Sequence, residues 1–118
     1  MNSEYYNEWL NKVHTSAIFL VVNNEDVLGC AAIYANDYKH KTAYLTYIAV
    51  VTGHQNQNIG TYLIKKLENI ALASGMKKLK LEVKKINHKA VHFYKRNGFD
   101  VVDTSEESFY MMKDLQKG

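Results

Sequence analysis

Residues 52–61 combine glycines with polar side chains and could bind an anion. They follow an apolar, β-branched run and lead directly into an amphipathic stretch with helical spacing. The first backbone N–H groups of a helix have no partner inside the helix, and the helix dipole adds positive potential there. This arrangement favours a phosphate-bearing ligand. The candidate residues are Gln55, Asn56, Gln57, Asn58, Ile59, Gly60 and Thr61.

A helix and a strand are predicted to follow this loop. The helix ends near Gly75, since glycine is the usual residue just past a helix end. Its apolar stripe consists of Ile59, Leu63, Leu67 and Ile70. Lys78–Lys84 then alternates apolar with charged residues, as a half-buried strand does. A crossover helix of this kind should make the strands before and after it parallel.

A second, shorter helix is predicted between Asn87 and Gly98. Asparagine is a good helix N-cap, and glycine ends helices. Its apolar face consists of Ala90, Val91, Phe93 and Tyr94. Residues 99–102 are then predicted to form another strand.

Two blocks of this region resemble the GNAT superfamily of N-acetyltransferases. Residues 55–60 resemble its Gln/Arg-x-x-Gly-x-Gly/Ala pyrophosphate loop, with Asn58 in the place of the first glycine. Asparagine is among the few residues that tolerate left-handed backbone geometry. Residues 87–99 resemble its Asn-x-x-Ala-x-x-Phe-Tyr-x-x-x-Gly-Phe block, and both blocks stand in the family's order and spacing. The resemblance covers residues 14–115.

The resemblance implies an α/β fold, an α+β mixed sheet with a crossover helix, and acetyl-coenzyme A as the acetyl donor. The main chain of Ile48, Ala49 and Val50 would pair with the pantetheine arm, and Asn87 would lie beside the cofactor. Tyr94 would be the acid that serves the leaving thiolate, a sensible role for a phenol with a pKa near 10. The alternative for Tyr94 is a core tyrosine that hydrogen-bonds at its edge.

The sequence leaves several alternatives for the residue that removes a proton from the attacking amine. Some members of the superfamily carry a glutamate at the position of Tyr44, so that carboxylate is absent here. Tyr44 and Thr46 could instead hold a relaying water. Glu82 is the only acid on its strand, although it could also pair with neighbouring lysines on a solvated face. His92 could titrate near neutral pH.

The charge distribution agrees with a polyanionic ligand. The formal net charge is +3, but residues 61–99 hold ten basic side chains against two acids, Glu68 and Glu82. A basic region beside a phosphate loop attracts a ligand such as coenzyme A. For any single lysine, a solvated surface is the alternative. Nucleic-acid binding is disfavoured, because no recognised nucleic-acid motif is present.

The first part of the chain is predicted to form a helix and an antiparallel meander. The apolar residues Tyr5, Trp9, Leu10 and Val13 suggest one short helix. Residues 17–22, 27–35 and 42–51 form strands joined by polar turns. The resemblance implies a further strand and more helix before these elements, so the domain is expected to be shortened at its N-terminal end. The bare sheet face and the apolar helix together predict a homodimer with Trp9 near the interface.

Composition predicts one domain over residues 1–118, located in the cytoplasm, and the resemblance implies that this domain is an N-acetyltransferase. The chain of 118 residues is 47% hydrophobic and can bury one core. It shows no long apolar stretch and no signal peptide, and the lone Cys30 fits a reducing compartment. His88 and His92 have a zinc-like spacing, but no third ligand accompanies them, so no metal is expected.

Two functional classes follow from these observations. One is an enzyme that acetylates a small-molecule amine by direct attack in a ternary complex. The other is a coenzyme A-binding module with a regulatory or assembly role, which the missing carboxylate at Tyr44 and the Asn58 substitution favour. Retention of Tyr94 and of the cofactor-binding blocks favours the enzyme.

Overall fold

A computed structural model describes residues 7–13, 17–24, 26–50 and 59–115, with side chains from Gly29 onward. Seven strands form one sheet in the order β1-β2-β3-β4-β5-β7-β6, and two helices accompany it. The elements are β1 Asn7–Val13, β2 Ala17–Asn24, β3 Asp26–Asp37, β4 Thr42–Val50, α1 Ile59–Ala73, β5 Lys78–Lys84, α2 His88–Arg96, β6 Asp100–Thr104 and β7 Ser108–Asp114.

The predicted N-terminal helix is wrong, because Asn7–Val13 is a strand. It pairs antiparallel with β2 from Asn7↔Asn23 to Val13↔Ala17. The spacing of Trp9, Leu10 and Val13 fits a helix turn, but it is a weak signal over so few residues. Pairing with a neighbouring strand satisfies the backbone groups equally well and overrides it. The apolar helix face from which the dimer was predicted therefore does not exist, and Tyr5 lies outside the described residues.

The meander is confirmed and extended by one strand. β1, β2, β3 and β4 pair antiparallel in sequence order. β2 and β3 are longer than predicted and nearly meet, because the polar residues 23 and 24 pair with 27 and 26. The sheet thus carries a strand before the meander, so the expectation that the shortened N-terminal end lacks such a strand is wrong.

The crossover through α1 gives the predicted parallel pair of β4 and β5. α1 buries a stripe against the sheet and stops before Gly75, whose φ of +90° suits glycine. The buried residues of α1 are Ile59, Leu63, Ile64, Leu67 and Ala71. Gly29 on β3 permits this approach, since a Cβ there would lie 3.1 Å from both Ile59 and Leu63 side chains.

The C-terminal part adds a hairpin of which only the first strand was predicted. β7 inserts between β5 and β6 and pairs antiparallel with both. The sequence did not predict β7, because Ser108–Asp114 does not alternate regularly in polarity.

One face of the sheet carries the core, and both helices lie on it. Residues of both helices belong to a single apolar cluster that includes Leu63, Tyr94 and Phe99. On the opposite face, called the outer face below, no helix of the described residues covers the sheet. Tyr34 and Tyr44 pair across strands there and are 41% and 39% exposed. Neither described helix is long and apolar enough to span a membrane.

Candidate active site

The centre of the sheet opens between β4 and β5. Their parallel pairing runs only from Thr42↔Lys78 to Leu45↔Leu81. Beyond that point Ile48–Val50 pairs with β3 alone, and the end of β5 pairs with β7 alone. The two strands therefore diverge, and a gap forms within an otherwise continuous sheet.

A β-bulge lies where this divergence begins. Leu45 pairs with Ile33 and Tyr47 with Ala32, so Thr46 has no partner across the ladder. The Thr46 hydroxyl donates to the Ala32 carbonyl at 3.2 Å. A bulge bends its strand and increases the local twist. We attribute the separation of β4 from β5 to this extra residue.

On the helix side, the gap forms an inner cleft of about 640 Å³. Strands β4 and β5, the start of α1 and most of α2 form its walls. Its lining residues are Ile48, Ala49, Val50, Gly60, Thr61, Glu82, Val83, Lys84, Asn87, Lys89, Ala90, Phe93, Tyr94 and Arg96. Eight residues proposed from the sequence therefore meet in one cavity: Ile48, Ala49, Val50, Gly60, Thr61, Glu82, Asn87 and Tyr94. Ile59 is buried and lines none of the three cavities, while Gln55, Asn56, Gln57 and Asn58 lie outside the described residues.

The cleft offers unpaired main chain along β4. Because Ile48–Val50 pairs only with β3, its other edge faces the cleft without a strand partner among the described residues. Backbone N–H and C=O groups require hydrogen-bond partners. An extended ligand with amide groups can supply them as an added strand would.

The start of α1 supplies positive potential at one end of this cleft. The first turn of α1 contains no acidic residue, and its N–H groups lack partners within the helix. Gly60 borders the cleft, and a Cβ there would lie 3.0 Å from two ring carbons of Phe93. Gly60 thus also lets α1 and α2 approach each other, a role that the sequence did not reveal.

Tyr94 presents a buried phenol to the same cleft. Its side chain is 8% exposed, and its ring packs edge-on against Phe93 at 5.4 Å and Phe99 at 5.8 Å. Burial raises the pKa of Tyr94 to about 12, because a low-dielectric environment disfavours the phenolate. No hydrogen bond joins its hydroxyl to another described residue. Tyr94 is therefore protonated at neutral pH and can donate a hydrogen bond to a ligand.

A second cavity lies on the outer face and meets the first at Glu82. This outer cavity has a volume of about 720 Å³, and Glu82 and Lys84 line both cavities. Its lining residues are Tyr44, Leu45, Thr46, Lys80, Leu81, Glu82, Lys84, Val102, Asp103, Tyr110 and Met111. Tyr44 and Thr46 thus line the same cavity. His92 is exposed on α2 and lines none of the three cavities.

Tyr44 belongs to a small polar cluster at the β3–β4 turn. Its hydroxyl donates to an Asp37 carboxylate oxygen at 3.5 Å. The backbone N–H of His40 also donates to Asp37 at 3.1 Å, and this bond is the main reason that the pKa of Asp37 is lowered. The Tyr44 hydroxyl therefore already has an acceptor when it faces the outer cavity.

A third, basic cavity adjoins the inner cleft beyond Thr61 and Arg96, which line both. Its volume is about 550 Å³, and its other lining residues are Lys65, Asn97, Gly98 and Lys113. Lys113 is paired with Glu68 at 2.9 Å. Among the described residues, no carboxylate pairs with Lys65 or Arg96. Only the general excess of positive charge was visible in the sequence. The described residues contain no cluster of His, Cys, Asp or Glu suited to a metal ion.

Comparisons with known proteins identify similar acetyltransferases. The chain is 38% identical over 66 residues to thialysine N-epsilon-acetyltransferase of Mus musculus, a match that covers 56% of this chain and 39% of that protein. PaiA N-acetyltransferase of Thermoplasma acidophilum, solved in complex with coenzyme A, shares 25% identity with a TM-score of 0.78. That match covers 84% of this chain and 61% of the other.

A third similar protein has the same fold over nearly the full length of both chains. It is a GNAT family acetyltransferase of Elizabethkingia anophelis with acetyl-CoA bound, at 17% identity and a TM-score of 0.80. The match covers 95% of this chain and 99% of that one. The chain thus spans about two fifths of the curated mouse protein that it matches and about three fifths of PaiA.

The family itself follows from a match along most of the chain. The family model described as acetyltransferase (GNAT) family matches residues 2–99, which include both sequence blocks and the residues that line the inner cleft. The chain therefore belongs to the GNAT family of acetyltransferases.

Proposed function

We propose that this protein transfers the acetyl group of acetyl-coenzyme A to a small-molecule amine, by direct attack in a ternary complex. The observation that carries the proposal is the meeting of two cavities at Glu82, one from each face of the sheet. A donor in the inner cleft and an acceptor in the outer cavity could touch where the two cavities meet, at Glu82 and Lys84. The thialysine ε-acetyltransferase similarity supports an amine acceptor.

The inner cleft fits the donor in shape and chemistry. Unpaired main chain at Ile48–Val50 suits the two amides of a pantetheine arm. The start of α1, at Gly60 and Thr61, suits the pyrophosphate. Residues 55–58, which lie outside the described residues, would complete that loop.

The basic cavity suits the 3′-phosphate of the donor. It continues from the inner cleft past Thr61, on the same side of α1 as Lys65. Lys65 and Arg96 have no described carboxylate partner, whereas Lys113 is neutralised by Glu68. We assign Lys65 and Arg96 to this phosphate.

Tyr94 would stabilise the leaving sulfur. As the amine nitrogen bonds to the acetyl carbon, the carbon–sulfur bond breaks and sulfur leaves with the electron pair. An ordinary thiol has a pKa of about 8.5, well below the value of about 12 for Tyr94. The proton thus stays mainly on the tyrosine oxygen, and Tyr94 acts by donating a hydrogen bond rather than by giving up its proton.

Glu82 is the best placed group to accept the proton of the amine. Of the carboxylates in the part of the chain that the structure describes, it alone lines both cavities. Transfer could be direct or through a water held by Tyr44 and Thr46 in the outer cavity. His92 lines none of the three cavities and is not part of this proposal.

Thiol release tests the activity. Acetyl-coenzyme A is incubated with a panel of amines and amino sugars, and the acetylated amine is identified by mass spectrometry. We expect release that depends on the amine, with intersecting initial-velocity lines. An acetylated protein formed without amine, together with parallel lines, would contradict direct transfer.

The second candidate function is a coenzyme A-binding module without efficient catalysis. It is favoured by Tyr44, which stands at the position where some members of the superfamily carry a glutamate. The hydroxyl of Tyr44 donates a hydrogen bond to Asp37. Calorimetric binding of coenzyme A without turnover of any amine would select this function.

We further propose a single domain that acts in the cytoplasm as a homodimer. One sheet contains all described strands, and both helices contribute to one core, which supports a single domain. Exposed tyrosines on β3 and β4, Tyr34 at 41% and Tyr47 at 53%, support a contact surface. A strictly monomeric mass by light scattering at tens of micromolar protein would refute the dimer. A dimer left unchanged by Trp9→Ala would place the interface away from Trp9.

A further inference from the structure

One cation in the outer cavity lacks a counter-charge. Lys80 is half-buried and lines the outer cavity but not the inner cleft. Among the described residues, no carboxylate pairs with it. Lys113 is paired with Glu68 at 2.9 Å, and Lys84 with Glu107 at 3.6 Å. Lys80 therefore differs from both of these lysines.

The surroundings of Lys80 strengthen an interaction with an anion. Tyr44 stands beside it in the register of β4 and β5, while Tyr110 and Met111 complete the wall. A half-buried cation interacts more strongly with an anion than a lysine in open water does. The residues flanking Lys80 along the strand, Leu79 and Leu81, are buried on the core side.

Lys80 and Glu82 lie on the same face of β5, two residues apart. At about 3.3 Å per residue, they are separated by roughly 7 Å along the strand. Glu82 lies at the junction with the donor cleft, and Lys80 lies over the closed part of the sheet, where β4 and β5 still pair. A molecule held by both would place an amine at the gap and an anion away from it.

We propose that the acceptor carries an anionic group, a carboxylate or a phosphate, about 7 Å from the amine that is acetylated. Lys80 binds this anion, and Glu82 faces the amine. The inference depends on the proposed acetyl transfer, since it assigns the acceptor of that same site. A diamine would instead place its second cation against Lys80. Asp103, the other acid of the cavity, already accepts a hydrogen bond from the Thr104 N–H at 2.8 Å.

Amines that differ only at the far end test the inference. The set is 5-aminopentanoate, 1-aminopentane and 1,5-diaminopentane, with 4-aminobutyl phosphate to separate carboxylate from phosphate. We expect kcat/KM for one of the anionic amines to exceed that of the neutral amine by about tenfold, as one ion pair allows. The Lys80→Gln variant should lose this preference through KM. Lys78→Gln, on the same strand face but outside the cavity, should keep it.

Binding of reaction products gives a readout without turnover. Calorimetry on the protein saturated with coenzyme A compares 5-acetamidopentanoate, 4-acetamidobutyl phosphate and N-pentylacetamide. Tighter binding of an anionic product, lost in Lys80→Gln, supports the inference even where turnover is slow. Equal binding, or a preference for 1,5-diaminopentane in turnover, overturns it. Failure of every amine in the broader panel would count against acetyl transfer itself, whereas transfer that ignores charge counts against this inference alone.

Discussion

The two halves of the β4–β5 pair differ in the burial of their side chains and in the pairing of their backbones. In the closed half, Ala43, Leu45, Leu79 and Leu81 are at most 7% exposed, and the backbones pair directly. In the open half, Ile48–Val50 is half-buried, and Glu82 and Lys84 are exposed. The same two strands thus build the core at one end and leave main chain unpaired at the other. The candidate site lies where the backbone groups of β4 and β5 no longer pair with each other.

The largest effect is expected in the closed half, from Leu79→Ala. Leu79 is fully buried in the core cluster, so the change should cost about 2–5 kcal/mol of unfolding free energy. Denaturant unfolding of the wild type and the variant measures this loss of free energy. Val101 on β6 is 37% exposed and gives the control. Val101→Ala should cost far less unfolding free energy. Equal costs would mean that the closed half is not the core.

In the open half, Tyr94→Phe should impair chemistry and leave the fold nearly unchanged. The ring contacts with Phe93 and Phe99 remain, while the hydroxyl that faces the cleft is lost. We expect turnover to fall by roughly ten- to a thousand-fold with coenzyme A affinity nearly intact. Unchanged turnover with the best acceptor would make Tyr94 a core residue only.

The same variant gives an independent check through pH. The pKa of Tyr94 is raised to about 12 in the folded protein, above its unfolded value of about 10. The stability that this shift contributes is present below pH 10 and is lost as pH rises from about 10 to 12. The wild type should therefore lose stability more steeply than Tyr94→Phe in that window. Parallel curves would mean that the phenol is not buried.

Gly60→Val should weaken coenzyme A binding, but two causes must be separated. A side chain there blocks close approach of phosphates to the backbone, and it also meets the Phe93 ring at 3.0 Å. The double variant Gly60→Val with Phe93→Leu relieves the second cause. We expect calorimetric affinity to stay low in the double variant. Recovery of affinity would assign Gly60 to helix packing rather than to the phosphate site.

The smallest effect is expected at the basic cavity. Lys65→Gln and Arg96→Gln should each weaken coenzyme A binding by several-fold while leaving dephospho-coenzyme A nearly unaffected, since each removes one partly exposed ion pair. Lys89→Gln is a suitable control, because Lys89 lines the inner cleft but not the basic cavity. Equal losses for both ligands would place the 3′-phosphate elsewhere.

Local patterns predicted the elements that surround the open half. Lys78–Lys84 is a strand over the residues expected, because its alternation reflects one buried and one exposed face. The Asn87 side chain accepts from the Ala90 N–H at 3.2 Å, as an N-cap should. These features depend on neighbours within one turn or one pleat, so the sequence displays them.

Features that depend on distant partners could not be predicted in the same way. β1 is a strand because β2 offers it a pairing edge, which its own residues do not reveal. The bulge at Thr46 follows from the register of β3 against β4. Lys113 reaches the basic cavity through β7, 45 residues after its partner Glu68. Each requires the assembled sheet.

The most direct test of the central claim is a crystal structure with coenzyme A bound. The account predicts that the pantetheine amides pair with the main chain of Ile48–Val50 and that the sulfur lies within about 3.5 Å of the Tyr94 hydroxyl, beside Glu82. A thiol end that lies away from the gap between β4 and β5, or main chain at Ile48–Val50 left unpaired with ligand present, would contradict it.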